Sequence, residues 1–257
     1  MSVLPTAAPE EDPLAAELAA LSAPAPANFA DQVIARWVEV DGPLGPLYVA
    51  FTDRGIASVC PVAWVDGADR FAESFRSRFG RPVRPAARPP AGLAAAVRSG
   101  RGTGLDYDLR AVGEFDRAVL AKTLEIPRGE VRPYSWIARE IGRPRAVRAA
   151  GSALGRNPVP ILIPCHRVVR SDGATGNYGF GAERKVELLR TEQVDLDEEL
   201  ALGRRGIHYL ASDTTGVYCY PSCAHARRIT AAHRVELATP AAAAAGGYRP
   251  CRHCRPA

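Results

Sequence analysis

The residues best suited to covalent chemistry are a cysteine and a histidine side by side, Cys165 and His166, which follow an apolar run that starts at Ile161. A thiol is a weak nucleophile until it loses its proton, and a free cysteine has a pKa of about 8.5. An imidazole within hydrogen-bond reach can take that proton, as in Cys–His nucleophilic catalysis. A bare Cys-His pair is usually an accident of core packing, so alone it marks only a candidate nucleophile and base.

A second group of reactive residues lies near the C-terminus, where 27 residues separate two cysteine pairs. Such spacings predict a site in which four thiolates bind one zinc ion: Cys219, Cys223, Cys251 and Cys254. A domain of about 50 residues has a small core, so bound metal would contribute directly to its folding. Three histidines are alternative ligands: His225, His233 and His253. The last stands between two of the cysteines and is expected to face outward.

The overall composition narrows the possible classes of protein. The chain has 257 residues, of which 47% are hydrophobic and 24% are charged, as is ordinary for a globular protein of one or two domains. Because no apolar run approaches 18 residues, we expect no membrane partner. The N-terminus is acidic and lacks the basic start and apolar stretch of a secretory signal. In an intracellular chain, cysteines indicate catalysis or metal binding rather than disulfides.

Positive charge is concentrated between Gly203 and Ala257, where there are eight arginines and only two acidic residues. The remainder of the chain is close to neutral. A basic segment on a near-neutral body favours a polyanionic partner, with nucleic acid as the first candidate. From charge alone, a solvated basic surface that binds no partner is an equally good interpretation.

The elements that must carry these residues follow from periodicity and turn residues. Three runs predict the strands of a small antiparallel sheet: residues 34–40, 46–51 and 56–60. Phe71, Phe75 and Phe79 recur every four residues and predict a helix that packs on this sheet. The proline-rich stretch 82–90 predicts a loop, and residues 105–109 suggest one further strand.

A group of helices is predicted next. Residues 115–126 have one apolar face and predict a helix. Two short helices, over residues 135–141 and about 145–156, are separated by a tight turn at Gly142 and predict a helix-turn-helix. The second has many small residues, which permit close approach to a neighbouring helix or to a DNA groove.

Three strings follow the helix-turn-helix: Asn157-Pro-Val-Pro160, Pro164-Cys-His-Arg167 and Gly176-Asn-Tyr-Gly-Phe-Gly-Ala-Glu-Arg-Lys185. Together they resemble the active-site region of the O6-alkylguanine-DNA alkyltransferases. The resemblance covers about residues 33–194 and is strong from Phe115 onward. It implies DNA repair by irreversible transfer of an alkyl group from O6-alkylguanine to Cys165, with double-stranded alkylated DNA as the partner. In this family the helix-turn-helix enters the minor groove and the damaged nucleotide is flipped into the protein.

The resemblance also implies catalytic roles. Cys165 would be the alkyl acceptor, His166 its base, and Glu192 the carboxylate that orients the imidazole. Tyr134 would turn the nucleotide and hydrogen-bond the guanine. Asn157 would be the hinge between the DNA-reading helix and the active loop.

Three further positions concern DNA and the alkyl group. By the same resemblance, Arg148 would fill the gap left by the flipped base, and Tyr178 would pack against that base. Phe180 stands where many members have glycine. We expect this bulky side chain to narrow the pocket and favour methyl over larger alkyl groups.

The C-terminal cysteines and their surroundings resemble the zinc-binding domain of Ada, placed here after the alkyltransferase. There the first cysteine binds zinc and also accepts a methyl group from a DNA phosphotriester, which implies this role for Cys219. Thr215 and either Arg227 or Arg228 would contact phosphate. Tyr220 is a departure, because arginine is usual at that position. The alternative is a zinc module that only adds affinity for DNA. Because the transcription-activating domain of Ada is absent, we expect no gene activation by that route.

The expected architecture belongs to the α/β (α+β) class and has four segments: a mobile tail at 1–30 with a short helix near 12–21, a β-rich alkyltransferase subdomain at 31–90, a helix-turn-helix catalytic domain at 105–195, and a zinc domain at 206–257. We expect a monomer in the bacterial cytoplasm, associated with the nucleoid when bound to DNA. Two other functions stay open: a non-catalytic DNA-damage sensor with a zinc module that anchors it to DNA, and a Cys-His hydrolase. Sensors of this family lack the cysteine, and no other feature suggests the oxyanion hole of a hydrolase.

Overall fold

The computed structural model describes residues 29–256, so the helix expected near residues 12–21 lies outside the described residues. The helices α1 to α9 are, in chain order, Phe29–Val33, Gly67–Phe79, Leu93–Ser99, Glu114–Leu124, Tyr134–Glu140, Val147–Gly155, Ala182–Thr191, Leu196–Arg204 and Pro240–Ala245. The strands β1 to β10 are Ala35–Gly42, Gly45–Thr52, Gly55–Pro61, Val83–Pro85, Arg132–Pro133, Val168–Val169, Tyr209–Ser212, Val217–Cys219, Arg234–Leu237 and Arg249–Pro250.

The N-terminal sheet has the strand order β3-β2-β1-β4. The first three strands pair antiparallel, as predicted. The prediction that residues 82–90 form only a loop is wrong, because β4 pairs in parallel with residues 35–37. Pro85 can end this strand because it lies at the sheet edge, where a missing N–H costs no ladder hydrogen bond. The predicted helix, α2, buries Phe71 and Phe75.

The middle of the chain is helical, and α4, α5 and α6 pack on one another. The predicted helix-turn-helix is confirmed as α5 and α6, with the bounds one to two residues away from those expected. Gly142 makes the turn between them with a φ of 71°, a left-handed conformation that glycine adopts without penalty. The strand expected at residues 105–109 is absent: Tyr107 makes only an isolated bridge to Ile56.

A parallel pair of two-residue strands joins the two parts of this domain that carry reactive residues. Arg132 of β5 pairs with Val168 of β6, and Pro133 pairs with Val169. The first strand leads directly into α5, and the second directly follows a 3₁₀ turn at Cys165–Arg167. The pairing therefore holds the start of the helix-turn-helix beside the cysteine loop.

The C-terminal part folds around a sheet of order β10-β8-β7-β9. Its buried residues belong to the same hydrophobic cluster as those of the helical domain, so that Tyr209 and Tyr220 share one core with Trp136 and Leu162. The C-terminal part is therefore packed against the helical domain. Over residues 29–256, no helix is long and apolar enough to span a bilayer.

Candidate active site and metal centre

Cys165 stands at the end of a strained, buried loop. Ile161 has a φ of 74°, which is unusual for a β-branched residue. Such strain costs about 1–3 kcal/mol, persists only where the surroundings enforce it, and clusters at functional sites. Here the enforcement comes from burial, since Ile161, Leu162 and Ile163 are each at most 2% exposed. Cys165 as a whole residue is 6% exposed.

The Asn157 side chain fixes the loop and contacts the thiol. Its Nδ2 donates to the Ile163 carbonyl at 2.9 Å and to Cys165 Sγ at 3.1 Å, while its Oδ1 accepts from Val159 N at 3.0 Å. Burial raises the pKa of the Cys165 thiol, whereas the Asn157 hydrogen bond and the charge of Lys185 act in the opposite direction. A donor aimed at sulfur stabilises thiolate over thiol.

His166, Glu192 and Arg167 form a buried ionic group beside the cysteine. His166 Nε2 lies 3.1 Å from Glu192 Oε1, and Arg167 binds both carboxylate oxygens, at 2.7 and 2.8 Å. Burial opposes the charge of Glu192, but the hydrogen bonds from Arg167 and His166 outweigh it and lower the carboxyl pKa to about 2. Glu192 is therefore anionic throughout the physiological pH range.

The imidazole is neutral at physiological pH. Burial lowers the pKa of His166, although Glu192 opposes this effect. Because Nε2 faces a carboxylate, the proton of the neutral ring belongs on Nε2. The other nitrogen, Nδ1, has no hydrogen-bond partner among the described residues. Nδ1 is thus the atom available to accept a proton.

Two charged residues of the site were not assigned roles from the sequence. Arg167 orients Glu192, and its guanidinium also donates to the carbonyls of Ile126 at 2.8 Å and Gly100 at 2.6 Å. Lys185 is fully buried and donates to Val168 O at 2.6 Å. Burial lowers the Lys185 pKa to about 8, while the nearby Cys165 sulfur raises it. The sequence could have indicated both residues, because they lie inside the strings that carry the resemblance.

A cleft of about 870 Å³ opens onto the sulfur, and we call it the Cys165 cleft. Its lining includes three residues implied by the resemblance: Tyr134, Arg148 and Tyr178. The Tyr134 hydroxyl donates to Asn177 O at 3.4 Å, and Arg148 is exposed on α6. The Tyr178 hydroxyl is buried and has no hydrogen-bond partner in the described part of the chain. An orphaned buried hydroxyl in a cleft wall is typical of a site that a polar ligand completes.

A second cavity, of about 260 Å³, is also lined in part by Cys165, and we call it the aromatic cavity. The Phe180 ring forms one wall and contacts Tyr178 with a centroid distance of 5.1 Å. The N-terminal subdomain contributes Trp64, whose ring lies edge-on to Phe180 at 4.4 Å although 52% of the residue is exposed. Sequence reasoning did not identify Trp64, because its contact joins residues 116 positions apart.

The four C-terminal cysteines converge as predicted. Their sulfurs lie within 4.8 Å of one another, and all four residues are buried. Tetrahedral zinc with Zn–S bonds of about 2.3 Å places sulfurs about 3.8 Å apart. Four buried thiols with this spacing fit a structural zinc ion. His253 instead directs Nε2 to Glu130 Oε1, at 3.0 Å.

A cleft of about 500 Å³ reaches Cys219, and we call it the Cys219 cleft. Thr215 and Arg228 line it, whereas Arg227 is not among its lining residues. Tyr220 lies outside this cleft; its ring packs on Tyr209 and under the Arg132 guanidinium, 5.5 Å from the ring centroid.

Comparison with known proteins gives one consistent result. Residues 114–194 match the family described as 6-O-methylguanine DNA methyltransferase, DNA binding domain, and residues 204–257 match the metal binding domain of Ada. A methylated-DNA–protein-cysteine methyltransferase of Methanosarcina barkeri is 33% identical over 168 residues, which is 61% of this chain and 96% of the relative.

Two further similarities extend this result. The regulatory protein ada of Salmonella typhimurium is 36% identical over 173 residues, 63% of this chain and 46% of that protein. Among solved structures, the fold is similar to the crystal structure of Mycobacterium tuberculosis OGT in complex with DNA, with a TM-score of 0.50 and a sequence identity of 31%. The match covers 66% of this chain and 99% of the other.

Proposed function

The chain belongs to the family of methylated-DNA–protein-cysteine methyltransferases, and we propose that Cys165 is the residue that accepts the alkyl group from O6-alkylguanine in DNA. The observation that carries this proposal is the arrangement around one sulfur. Asn157 donates to Sγ, the neutral His166 is oriented by Glu192, and the Cys165 cleft gives access from solvent. The cleft also bears the side chains that would hold a guanine.

In the proposed reaction, His166 Nδ1 accepts the Cys165 proton, directly or through one water molecule. The thiolate attacks the alkyl carbon in line with the departing oxygen. The S–C bond forms as the C–O6 bond breaks; the guanine leaves as an anion that takes a proton from solvent, and His166 releases the Cys165 proton to solvent. The hydroxyls of Tyr134 and Tyr178, which line the cleft, would donate hydrogen bonds to the leaving base. A thioether is stable, so each molecule reacts once.

We propose that the substrate is double-stranded DNA from which the damaged nucleotide is flipped, since a base atom inside a duplex cannot be reached otherwise. The exposed Arg148 on α6 would occupy the space that the flipped base leaves. One chain contains every residue of this site, which supports action as a monomer. A DNA substrate in a family with bacterial members supports the bacterial cytoplasm, at the nucleoid, as the place of action.

We propose a second methyl acceptor at Cys219, with Cys223, Cys251 and Cys254 completing a zinc site. Bound zinc would keep the sulfurs deprotonated at neutral pH. Among the four, Cys219 lines the cleft that also contains Thr215 and Arg228. These two residues can bind the phosphate of a methylated phosphotriester, so Arg228 is a better candidate for this contact than Arg227.

Peptide mass spectrometry of the zinc-loaded chain after incubation with randomly methylated DNA tests both assignments. We expect one methyl group on the Cys165 peptide and one on the Cys219 peptide, with Cys60 as an unmodified internal control. A Cys165→Ser variant should lose the first modification only. Methylation of Cys165 alone would make the C-terminal module a DNA anchor. An unmodified Cys165 would refute the central proposal and favour a damage sensor.

A further inference from the structure

The loops that carry the four cysteines are hydrogen-bonded to the helical domain. Ser222 and Ala224 flank the second cysteine, and His253 lies between the last two. The Ser222 hydroxyl accepts from Val131 N at 3.0 Å and donates to Val131 O at 3.2 Å. Ala224 N and His253 Nε2 both bind Glu130 Oε1, each at 3.0 Å. One carboxylate of the helical domain thus joins both halves of the metal centre.

The residue after the last cysteine makes a further set of contacts. The Arg255 guanidinium binds Glu125 Oε2 at 2.6 Å and Glu140 Oε2 at 2.8 Å. Its carbonyl accepts from Arg139 Nη2 at 2.6 Å. Every cysteine loop therefore contacts residues 125–140, a segment that includes β5 and α5.

One charge pair of this interface is buried. Glu130 and Arg132 are each 1% exposed and form an ion pair. The Arg132 guanidinium lies between the rings of Trp136 and Tyr220, at 6.0 and 5.5 Å from their centroids. Buried charges are tolerated only when they are paired and hydrogen-bonded, and loss of one partner is strongly destabilising. Ala224 and Tyr220 of the metal centre are among these partners, so an intact metal centre stabilises the pair.

The same pair lies next to the alkyltransferase site. Arg132 stands two residues before Tyr134 and pairs across β5 and β6 with Val168, the residue whose carbonyl binds Lys185. A displacement of β5 would therefore move both Tyr134 and the strand that follows Cys165. Misplacement by about 1 Å can cost about 100-fold in rate.

We infer that Glu130 and Arg132 are positioning residues through which the zinc-bound cysteine centre holds the alkyltransferase site in its reactive geometry. This inference rests on the proposed function of Cys165. It predicts that the metal centre and the Cys165 site are energetically coupled, although they would react with different lesions. A linked equilibrium of this kind is typically worth between 5- and 150-fold.

The test uses the full zinc-loaded chain and a duplex with one O6-methylguanine. Zinc is removed with a chelator, and the single-turnover rate at Cys165 is measured together with amide hydrogen exchange. We expect the rate to fall about tenfold and the amides of residues 130–134 to lose protection, while β1 to β3 stay protected. In Glu130→Gln the rate should already be low, and chelation should lower it little further, because both changes remove the same contacts.

Arg205→Ala is the matched control, since it removes an exposed ion pair with Glu236 outside this interface. It should leave both the rate and its response to chelation unchanged. If zinc leaves and neither the rate nor the exchange of residues 130–134 changes, the inference is wrong, even though Cys165 still reacts. If the zinc-loaded chain does not alkylate Cys165 at all, the proposed function fails instead. Chelation of the wild-type chain decides the question even if Glu130→Gln does not fold.

Discussion

Replacing Glu192 with glutamine tests the ionic group behind the nucleophile. Burial raises the pKa of the Glu192 carboxyl, but the hydrogen bonds from Arg167 and His166 outweigh burial and lower the pKa from its usual 4.5 to about 2. A tenfold change in an ionisation constant is worth about 1.4 kcal/mol, so the charged form stabilises the fold by about 3 kcal/mol. Because the folded pKa is the lower one, this stabilisation is present above about pH 4.5 and is lost as the pH falls toward 2. Glu192→Gln should remove it at neutral pH.

The assay is urea unfolding at pH 7 and again near pH 2.5, with zinc removed at both pH values because protonation of the cysteines releases the metal in acid. We expect the variant to be about 3 kcal/mol less stable than wild type at pH 7, with most of that difference gone near pH 2.5. Glu187→Gln on α7, the helix that ends just before Glu192, is the control, because Glu187 is exposed and its one ion pair among the described residues is with Arg184; such pairs are worth less than about 1 kcal/mol. A Glu192→Gln penalty that does not depend on pH would refute the electrostatic explanation.

The same substitution should also slow alkylation. Without the carboxylate, His166 Nε2 loses the anion that fixes its tautomer, and Nδ1 becomes a weaker base. General-base catalysis is worth about 100-fold or more, so the single-turnover rate at pH 7 should fall by about that factor. Unchanged alkylation in a folded variant would show that His166 does not activate the thiol.

Three other predictions concern the walls of the site and the second acceptor. Lys185→Met removes a cation near the acceptor sulfur and should shift the pH–rate profile for alkylation to higher pH; an unshifted profile would exclude an electrostatic role. Trp64→Ala removes the ring that supports Phe180, so the rate with O6-benzylguanine should rise relative to that with O6-methylguanine, and a constant ratio would contradict the expectation that Phe180 narrows the pocket for the alkyl group. Arg228→Ala should slow methyl transfer from phosphotriesters about tenfold, the loss of one charge-assisted hydrogen bond. Arg227→Ala should leave that rate unchanged, and equal effects of the two substitutions would contradict the placement of these side chains.

The sequence predicted the local elements well where periodicity and turn residues agreed, as in β1 to β3 and the helix-turn-helix. It failed where an element depends on a distant partner. The strand at Val83–Pro85 contains a proline and forms only because the edge of β1 is open to it. Helix α3, at Leu93–Ser99, was not predicted, because it is short and alanine-rich and directly follows the proline-rich stretch that indicated a loop.

The residues of the candidate site also fall into two groups, those that the sequence could predict and those that depend on distant contacts. The cysteines of the metal centre could be predicted because their spacing in the chain reflects their coordination. Residues that act through contacts between elements could not: Trp64 reaches Phe180 from another subdomain, and Glu130 reaches the metal centre across the domain interface. Nothing in the spacing of these residues along the chain indicates that they meet.

The departure at Tyr220 is explained by this interface. Arginine at that position would place a second cation beside Arg132, in a region where Tyr220 is only 6% exposed. A second guanidinium group beside the one that Glu130 already neutralises would repel it and oppose the packing of the module. Tyrosine instead offers a ring face to the existing guanidinium, an attraction worth up to about 2 kcal/mol when desolvated. Tyrosine, at the position where the resemblance leads us to expect arginine, is thus suited to the packing of this module against the alkyltransferase domain.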